Sequence, residues 1–299
     1  MNLNIPDKCY LCPRMCGANR NITQGFCGAE NTVRLARAAL HMWEEPCISG
    51  TKGSGTVFFS GCPLKCCYCQ NYHISAENFG KDISTLQLAQ IFTRMENEGA
   101  HNINLVTASA YLPFVIDALE MAKPKIPVVY NTSGYETLNA INALKPYVDI
   151  WLTDLKYMST ALSGKYSSAA NYFEYASAAI LKMHEYSPKP IFNDDGILQK
   201  GLIVRYLALP GALNDGISCL NWLHESMDGD SFLLSLMSQY TPFYKATEHK
   251  ELSRRIYSYE YNKLLSEAEK LGLTNGFMQK RSSAKEEYTP IFDLEGVDI

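Results

Sequence analysis

From residue 55 onwards, short apolar runs alternate with longer stretches that carry an apolar stripe at helical spacing. The runs predict strands over 55–60, 102–108, 127–132, 149–156, 201–209 and 231–240. The striped stretches predict helices over 84–98, 113–122, 135–144, 168–186, 215–227 and 254–271. In the first helix Leu86, Leu88, Ala89, Ile91, Phe92 and Met95 form the stripe, and Ser84 stands where an N-cap is expected. Six strand–helix units in a row favour a parallel sheet with right-handed crossovers. A doubly wound sheet and an incomplete barrel both fit. Residues 33–41 read as a short strand or mixed segment with Arg34 and Arg37 on one side. Residues 187–200 read as a loop. The tail, 272–299, carries a short strand near Gly276-Phe277-Met278 and then a charged, mobile end.

The strands are apolar for most of their length and become polar at their C-terminal ends. Thr107 and Ser109 follow the second strand. Asn131 and Ser133 end the third, and Asp154 and Lys156 the fourth. Arg205 lies in the fifth, and Ser238 and Gln239 end the sixth. In a parallel α/β fold these ends share the face that carries the active site. Alternation along a strand points Asp154 and Lys156 the same way, and likewise Asn131 and Ser133. Left unpaired and buried, such groups would each cost about 1–3 kcal/mol. They therefore pair with one another or face a polar ligand.

The cysteines add chemistry to that face. Seven of the ten fall into two groups. Ser60-Gly61-Cys62-Pro63-Leu64-Lys65-Cys66-Cys67-Tyr68-Cys69 follows the first strand and spaces three thiols as C-x3-C-x2-C. Three thiolates on one loop can hold three irons of a [4Fe–4S] cluster and leave the fourth open to a small molecule. A zinc loop that borrows a distant ligand such as Cys67, His73 or Cys47 is the other reading. The second group, Cys9, Cys12, Cys16 and Cys27, has the spacing C-x2-C-x3-C-x10-C and suits a closed metal site. Spacing alone does not separate zinc from iron–sulfur there, or either from reduced thiols in a packed arm. Cys47, Cys67 and Cys219 are expected to pack as small hydrophobes. His73 is expected at the surface or behind a ligand.

Composition narrows the function classes. Apolar residues make up 46% and charged residues 19% of the 299-residue chain, ordinary for a globular protein. The net charge of −4, with no basic block, gives no footing for nucleic-acid binding. The nineteen tyrosines are scattered rather than grouped into a stacking platform. No apolar stretch reaches membrane-spanning length, and the first residues lack a signal-peptide pattern. The cysteines thus point to metal binding in a reducing, cytoplasmic setting rather than to disulfides.

Several stretches then match a known family. They are Cys9-Tyr10-Leu11-Cys12-Pro13-Arg14-Met15-Cys16, His41-Met42-Trp43-Glu44-Glu45-Pro46, the Cys62 loop, Tyr130-Asn131-Thr132-Ser133-Gly134-Tyr135, Asp154-Leu155-Lys156-Tyr157 and Met237-Ser238-Gln239-Tyr240-Thr241-Pro242. The chain resembles radical SAM proteins related to the pyruvate formate-lyase activating enzyme, within a subfamily that begins with a Cys-x2-Cys-Pro-Arg-x-Cys arm. The resemblance implies an α/β fold, a partial (β/α)6 TIM-like barrel with a small N-terminal Cys-rich arm. Its parts would be an arm over 1–50, a core over 51–272 and a tail over 273–299. It implies a [4Fe–4S] cluster on Cys62, Cys66 and Cys69, with S-adenosylmethionine (SAM) on the open iron and Tyr68 near the adenine. Thr107 and Ser109 would hold the methionine amine and carboxylate, although a Gly-Gly-Glu-like motif usual in the family is Thr107-Ala108-Ser109-Ala110 here. Asn131, Asp154, Lys156 and Arg205 would contact the ribose and sulfonium side. The implied activity is reductive cleavage of SAM followed by hydrogen abstraction, with a flavodoxin- or ferredoxin-type electron donor. The substrate would be the glycine loop of a glycyl radical enzyme, another protein or a small molecule. A zinc-stabilised binding protein without catalysis is the rival from a different class.

Overall fold

The apolar runs pair into one sheet, and the striped stretches cover it. The computed structural model describes residues 7–279 and 290–298. β1 (Val33–His41) passes through α1 (Pro46–Ser49) into β2 (Ser54–Phe59). Then come α2 (Tyr72–Ser75), β3 (Lys81–Ile83), α3 (Thr85–Asn97), β4 (Ile103–Val106), α4 (Leu112–Ala122), β5 (Val128–Thr132), α5 (Leu138–Leu144) and β6 (Ile150–Asp154). After these follow α6 (Thr160–Ser167), α7 (Tyr172–Tyr186), β7 (Ile191–Phe192), β8 (Leu198–Leu207), α8 (Leu213–Ser226), β9 (Leu233–Met237), α9 (Ser258–Lys270) and β10 (Gly276–Met278).

The sheet order is β10-β9-β8-β6-β5-β4-β2-β1-β3, with β7 beside β8. Every neighbouring pair from β2 to β10 is parallel, whereas β1 and β3 add an antiparallel edge. Among the described residues β10 and β3 do not pair, so the sheet stays open as a partial TIM-like barrel. Parallel strands feed their C-terminal ends to one rim, which brings the polar strand ends together. The central parallel strands β2, β4, β5, β6 and β9 are buried, β2 along all six residues, as a sheet covered on both faces requires. Helix boundaries follow local chemistry. Ser84 accepts from the Gln87 amide (3.2 Å), while the Gln87 side chain accepts from the Ser84 amide (2.9 Å), closing a capping box on α3.

Four expectations need correction. The helix expected over 168–186 is α7, which starts only at Tyr172; before it stands α6, a helix that was not expected, ended by Ser168 in the left-handed conformation. The loop expected over 187–200 contains β7 folded back on the start of β8. Asn193 makes the turn by accepting from the Asp195 and Ile197 amides (3.1 and 2.9 Å). β3 escapes the hydrophobic pattern because it is three residues long and mostly exposed. The end of the tail is held rather than loose. Leu294 N–H donates to Ala36 O (3.1 Å), and Ala38 N–H donates to Glu295 O (2.9 Å). Residues 280–289 of the expected charged end lie outside the described residues.

Glu260, in the first turn of α9, ties that helix to the loop after β8. It accepts from Arg254 (2.8 and 2.9 Å), the Tyr257 amide (2.8 Å) and the Gly211 amide (2.9 Å). Arg254 above all pulls its carboxyl down to about 2 from the ordinary 4.5. Because the folded value lies below the unfolded one, the contribution is complete above about pH 4.5 and is lost as pH falls towards 2. Glu260→Gln is therefore expected to flatten the stability–pH curve in that acid window, as read by denaturant titration at stepped pH.

Candidate active site

β2 ends at Phe59, and the chain turns at once into the three-cysteine loop. Gly61 sits at φ +82°, where a Cβ would stand 2.5 Å from the Cys27 carbonyl oxygen, so no side chain fits. Backbone hydrogen bonds fix the loop: Gly61 N–H to Ile74 O (2.7 Å), Cys62 N–H to Cys27 O (3.1 Å), Cys67 N–H to Tyr166 O (2.8 Å) and Lys245 N–H to Cys67 O (2.8 Å). Arg14 reaches over from the arm. Its Nε donates to Pro63 O (2.6 Å) and its Nη2 to Ser167 O (2.9 Å), while Nη1 takes the Ser168 carbonyl. Each of the three thiols accepts a hydrogen bond. Cys62 Sγ accepts from Leu64 N–H (3.4 Å), Cys66 Sγ from Ser167 Oγ (3.0 Å) and Cys69 Sγ from Ser75 Oγ (3.2 Å). Burial pushes all three thiols up, Cys62 to about 11, against the pull of the Lys156 ammonium.

Cys66 and Cys69 open onto a cavity at the strand ends, about 1180 Å³ of empty space with its mouth included. Arg205 on β8 organises the facing wall. Its Nε donates to Asp154 Oδ1 on β6 (2.9 Å), its Nη2 to Asn131 Oδ1 on β5 (2.5 Å) and its Nη1 to Glu44 Oε2 (3.3 Å). Lys156 Nζ donates to Asp154 Oδ2 (2.6 Å). Glu44 Oε1 accepts from Asn104 (3.1 Å) and Asn131 (3.2 Å). Burial opposes ionisation of Asp154, but Lys156 and Arg205 outweigh it and hold the carboxyl below its usual range. Glu44 and Glu45 go the other way, because burial dominates and their mutual repulsion adds to it at Glu45.

A tyrosine wall backs the cysteine loop, and Tyr68 and Tyr240 of it line the cavity. Tyr68, Tyr135, Tyr157, Tyr166, Tyr172 and Tyr240 pack in one buried cluster with Leu64 and Cys66. Tyr68 and Tyr157 share a hydroxyl hydrogen bond (2.5 Å), and Tyr157 bonds Ser167 (2.9 Å), which in turn bonds Cys66. The tyrosines that read as scattered are thus gathered by the fold.

Of the residues singled out from sequence, Tyr68, Asn131, Asp154, Lys156 and Arg205 line the cavity with Cys66 and Cys69. Thr107 and Ser109 are not among its lining residues, although Val106 is. The Ser109 hydroxyl donates to buried Glu136, whose Oε1 also accepts from Thr132 (2.5 Å) and Tyr130 (3.0 Å). His73 is exposed and pairs with Glu77 (2.7 Å). Cys47 and Cys219 are buried in apolar surroundings. Glu44 is the residue that sequence reasoning missed. The available signal was a pair of acids wedged between Trp43 and Pro46 in a segment bound for the sheet edge.

Known proteins give this geometry a family. The Radical SAM superfamily pattern matches residues 56–193. An uncharacterized protein of Methanocaldococcus jannaschii is 30% identical over 281 residues, covering 90% of this chain and 77% of that protein. The chain carries a radical SAM domain over residues 56–193. Among solved structures, Streptococcus suis SuiB bound to S-adenosylmethionine shares 13% identity at a TM-score of 0.44, over 76% of this chain and 47% of its own. Methylornithine synthase (PylB) shares 11% at 0.48, over 78% of this chain and 63% of its own. The chain spans about half the length of the first and under two thirds of the second.

A radical SAM domain implies a [4Fe–4S] cluster and SAM, and the residues fit both. The three thiols sit on one loop, each accepts a hydrogen bond, and Cys66 and Cys69 face the cavity, a donor set that would take three irons and leave the fourth towards the cavity. The cavity beside them offers cations, carboxylates and amides to a zwitterionic nucleoside. No helix among the described residues is long and apolar enough to cross a membrane.

Three variants test the site. Arg205→Met removes the buried cation from three partners at once and is expected to cost about 3–5 kcal/mol, a fall in Tm of roughly 6 °C or more. Arg205→Lys keeps the charge without the fork and should fall between. Cys67 is half-buried, with its side chain packed against the tyrosine cluster and its backbone holding the loop. Cys67→Ala should leave the iron and sulfide content of anaerobically purified protein unchanged, and loss of iron would show that Cys67 is a ligand.

Proposed function

We propose that Cys62, Cys66 and Cys69 each bind one iron of the cluster and that SAM takes the fourth through its amino and carboxylate groups. The observation that supports this is the shared cavity: Cys66 and Cys69 on one wall and Asn131, Asp154, Lys156 and Arg205 on the other. When bound and reduced by one electron, the cluster supplies homolytic cleavage of the sulfonium, giving methionine and a 5′-deoxyadenosyl radical that takes hydrogen from a substrate. The chain's own residues bind and orient. Asp154, kept ionised by two cations, accepts from ribose hydroxyls. Tyr68 lies beside the adenine. Lys156 places a positive charge near the thiolates. With Ser109 engaged by Glu136, the end of β4 meets the methionine amine through the backbone near Val106 and Thr107. The tyrosine wall keeps water from the reacting centre.

The electron comes from a low-potential donor of the flavodoxin or ferredoxin type. Within this reading the substrate is a protein segment, the glycine loop of a glycyl radical enzyme. Besides the sequence resemblance, the rim supports it: Trp43 lines the cavity yet is 60% exposed, with Met42 beside it at 45%. Such a rim can grip a polypeptide that enters from outside.

Anaerobically reconstituted protein with dithionite should convert SAM to methionine and 5′-deoxyadenosine, and Cys62→Ala, Cys66→Ala or Cys69→Ala should abolish conversion together with the loop's iron. Intact iron without SAM cleavage would overturn the activity. Incubation with candidate glycyl radical enzymes, followed by EPR, tests the substrate. Deuterium transfer into 5′-deoxyadenosine from a small molecule, with no glycyl radical formed, would replace the protein substrate with a small one.

A further inference from the structure

One of the three loop thiols differs from the others in what stands behind its hydrogen bond. Cys62 Sγ accepts from a backbone amide, and Cys69 Sγ from the Ser75 hydroxyl (3.2 Å). Cys66 Sγ accepts from Ser167 Oγ (3.0 Å), and Ser167 is the near end of a chain. Tyr157 Oη lies 2.9 Å from Ser167 Oγ, and Tyr68 Oη lies 2.5 Å from Tyr157 Oη. The whole chain is dry. Tyr157 and Ser167 are fully buried, and Cys66 and Tyr68 are each 7% exposed. At its far end stands Tyr68, which lines the cavity.

Counting hydrogens fixes the direction of this chain. A thiolate that ligates a metal has none to give, so Ser167 spends its single hydroxyl hydrogen on Cys66. Ser167 Oγ then receives from Tyr157, whose own hydrogen is thereby used, and Tyr157 Oη receives from Tyr68. All three hydroxyls point the same way, towards the sulfur. Each polarises the next, and in a dry interior such chains strengthen by about 10–30% per bond. The parts are also held by contacts outside the chain. Arg14 takes the carbonyls of Ser167 and Ser168 where α6 ends. The Tyr157 ring stands edge-on to Tyr172, with centroids 5.6 Å apart, and the Tyr68 ring stands edge-on to Tyr166 and Tyr240. Removing one tyrosine hydroxyl therefore takes away a hydrogen bond and leaves the rings in place.

We propose that Tyr68, Tyr157 and Ser167 are positioning residues, a one-way relay that stabilises negative charge on the Cys66 sulfur and makes the Cys62-loop cluster easier to reduce. The inference rests on the reading of that loop as a cluster site. An added electron puts more negative charge on the ligating sulfurs, so a donor aimed at one of them favours the reduced form. Hydrogen bonds to sulfur are among the factors that set the potential of such centres. The relay also carries this influence out to the cavity wall, where Tyr68 meets whatever occupies the cavity.

The potential of the reconstituted centre, read without SAM, tests the relay. The full-length chain and each variant are loaded anaerobically with iron and sulfide and titrated with dithionite. The readout is the EPR signal that Cys62→Ala abolishes. Ser167→Ala should lower the ratio of reduced to oxidised cluster at a given potential about tenfold, which is a fall in midpoint of about 59 mV for one electron. Tyr157→Phe touches no cysteine and should move the ratio the same way, by about twofold. Ser167→Thr keeps the hydroxyl and should hold the native midpoint. Iron and sulfide should match the native chain in all three. An unmoved midpoint in Ser167→Ala and Tyr157→Phe overturns the proposal, as does a Ser167→Thr midpoint that falls with that of Ser167→Ala. If Ser167→Ala loses its iron, Tyr157→Phe alone decides. A native chain with no cluster on the loop overturns the reading of the loop and this inference with it. A complete cluster whose midpoint ignores the hydroxyls overturns the relay and leaves the loop reading standing.

Discussion

The buried guanidinium of Arg205 is the interaction on which the open end of the sheet depends. Residues Asp154 and Arg205 are direct partners in the β6–β8 register, and the fork of Arg205 continues to Asn131 on β5 and to Glu44 beyond β1. One side chain therefore ties together three parallel strands and the antiparallel edge. With Lys156 it holds Asp154 as a carboxylate, while at Glu44 and Glu45 burial outweighs its pull and pushes them towards the neutral form. A rim that would otherwise be costly to dehydrate becomes a set of fixed charges, and fixed charges need no rearrangement when a polar ligand arrives.

The cysteine loop obeys a different logic. It contains little structure of its own and is shaped from outside: by Cys27 and Arg14 before it, by Tyr166 and Ser167 about a hundred positions later, and by Lys245 near the end of the barrel. Long-range anchoring of this kind makes the thiol positions a property of the whole fold. It also explains why a helix break at Ser168 belongs to the site. The turn between α6 and α7 presents the Ser167 and Ser168 carbonyls to Arg14 and the Ser167 hydroxyl to Cys66.

Much of the fold was legible because strands and helices of ordinary length announce themselves by periodicity. Even the polar strand ends followed from alternation: Asp154 and Lys156 do meet, and Asn131 does face the cavity. The failures have physical causes. β3 is too short and too exposed to show a pattern. The 168–186 helix was begun about four residues early, at an αL residue, because serine carries no strong breaking signal. Ser109 was placed by analogy at a strand end, whereas its hydroxyl is claimed by Glu136, a contact across 27 positions that no local pattern encodes. Glu44 and the tyrosine wall belong to the same class. Their roles arise only when residues from distant segments are brought together, and composition showed the tyrosines without their address.

The segment 290–298 has a consequence for the sheet's outer margin. β3 covers only Val33, Leu35 and the residue between them on β1, and the next stretch of that strand is met by Leu294 and Glu295. Arg37 binds Asp293 and Glu295, and Phe292 rests on Phe58. Without this strap the amide of Ala38 and the carbonyl of Ala36 would stand bare on a hydrophobic strand, a template for another chain to pair with. Segment 290–298 thus closes the part of the β1 edge that β3 leaves open.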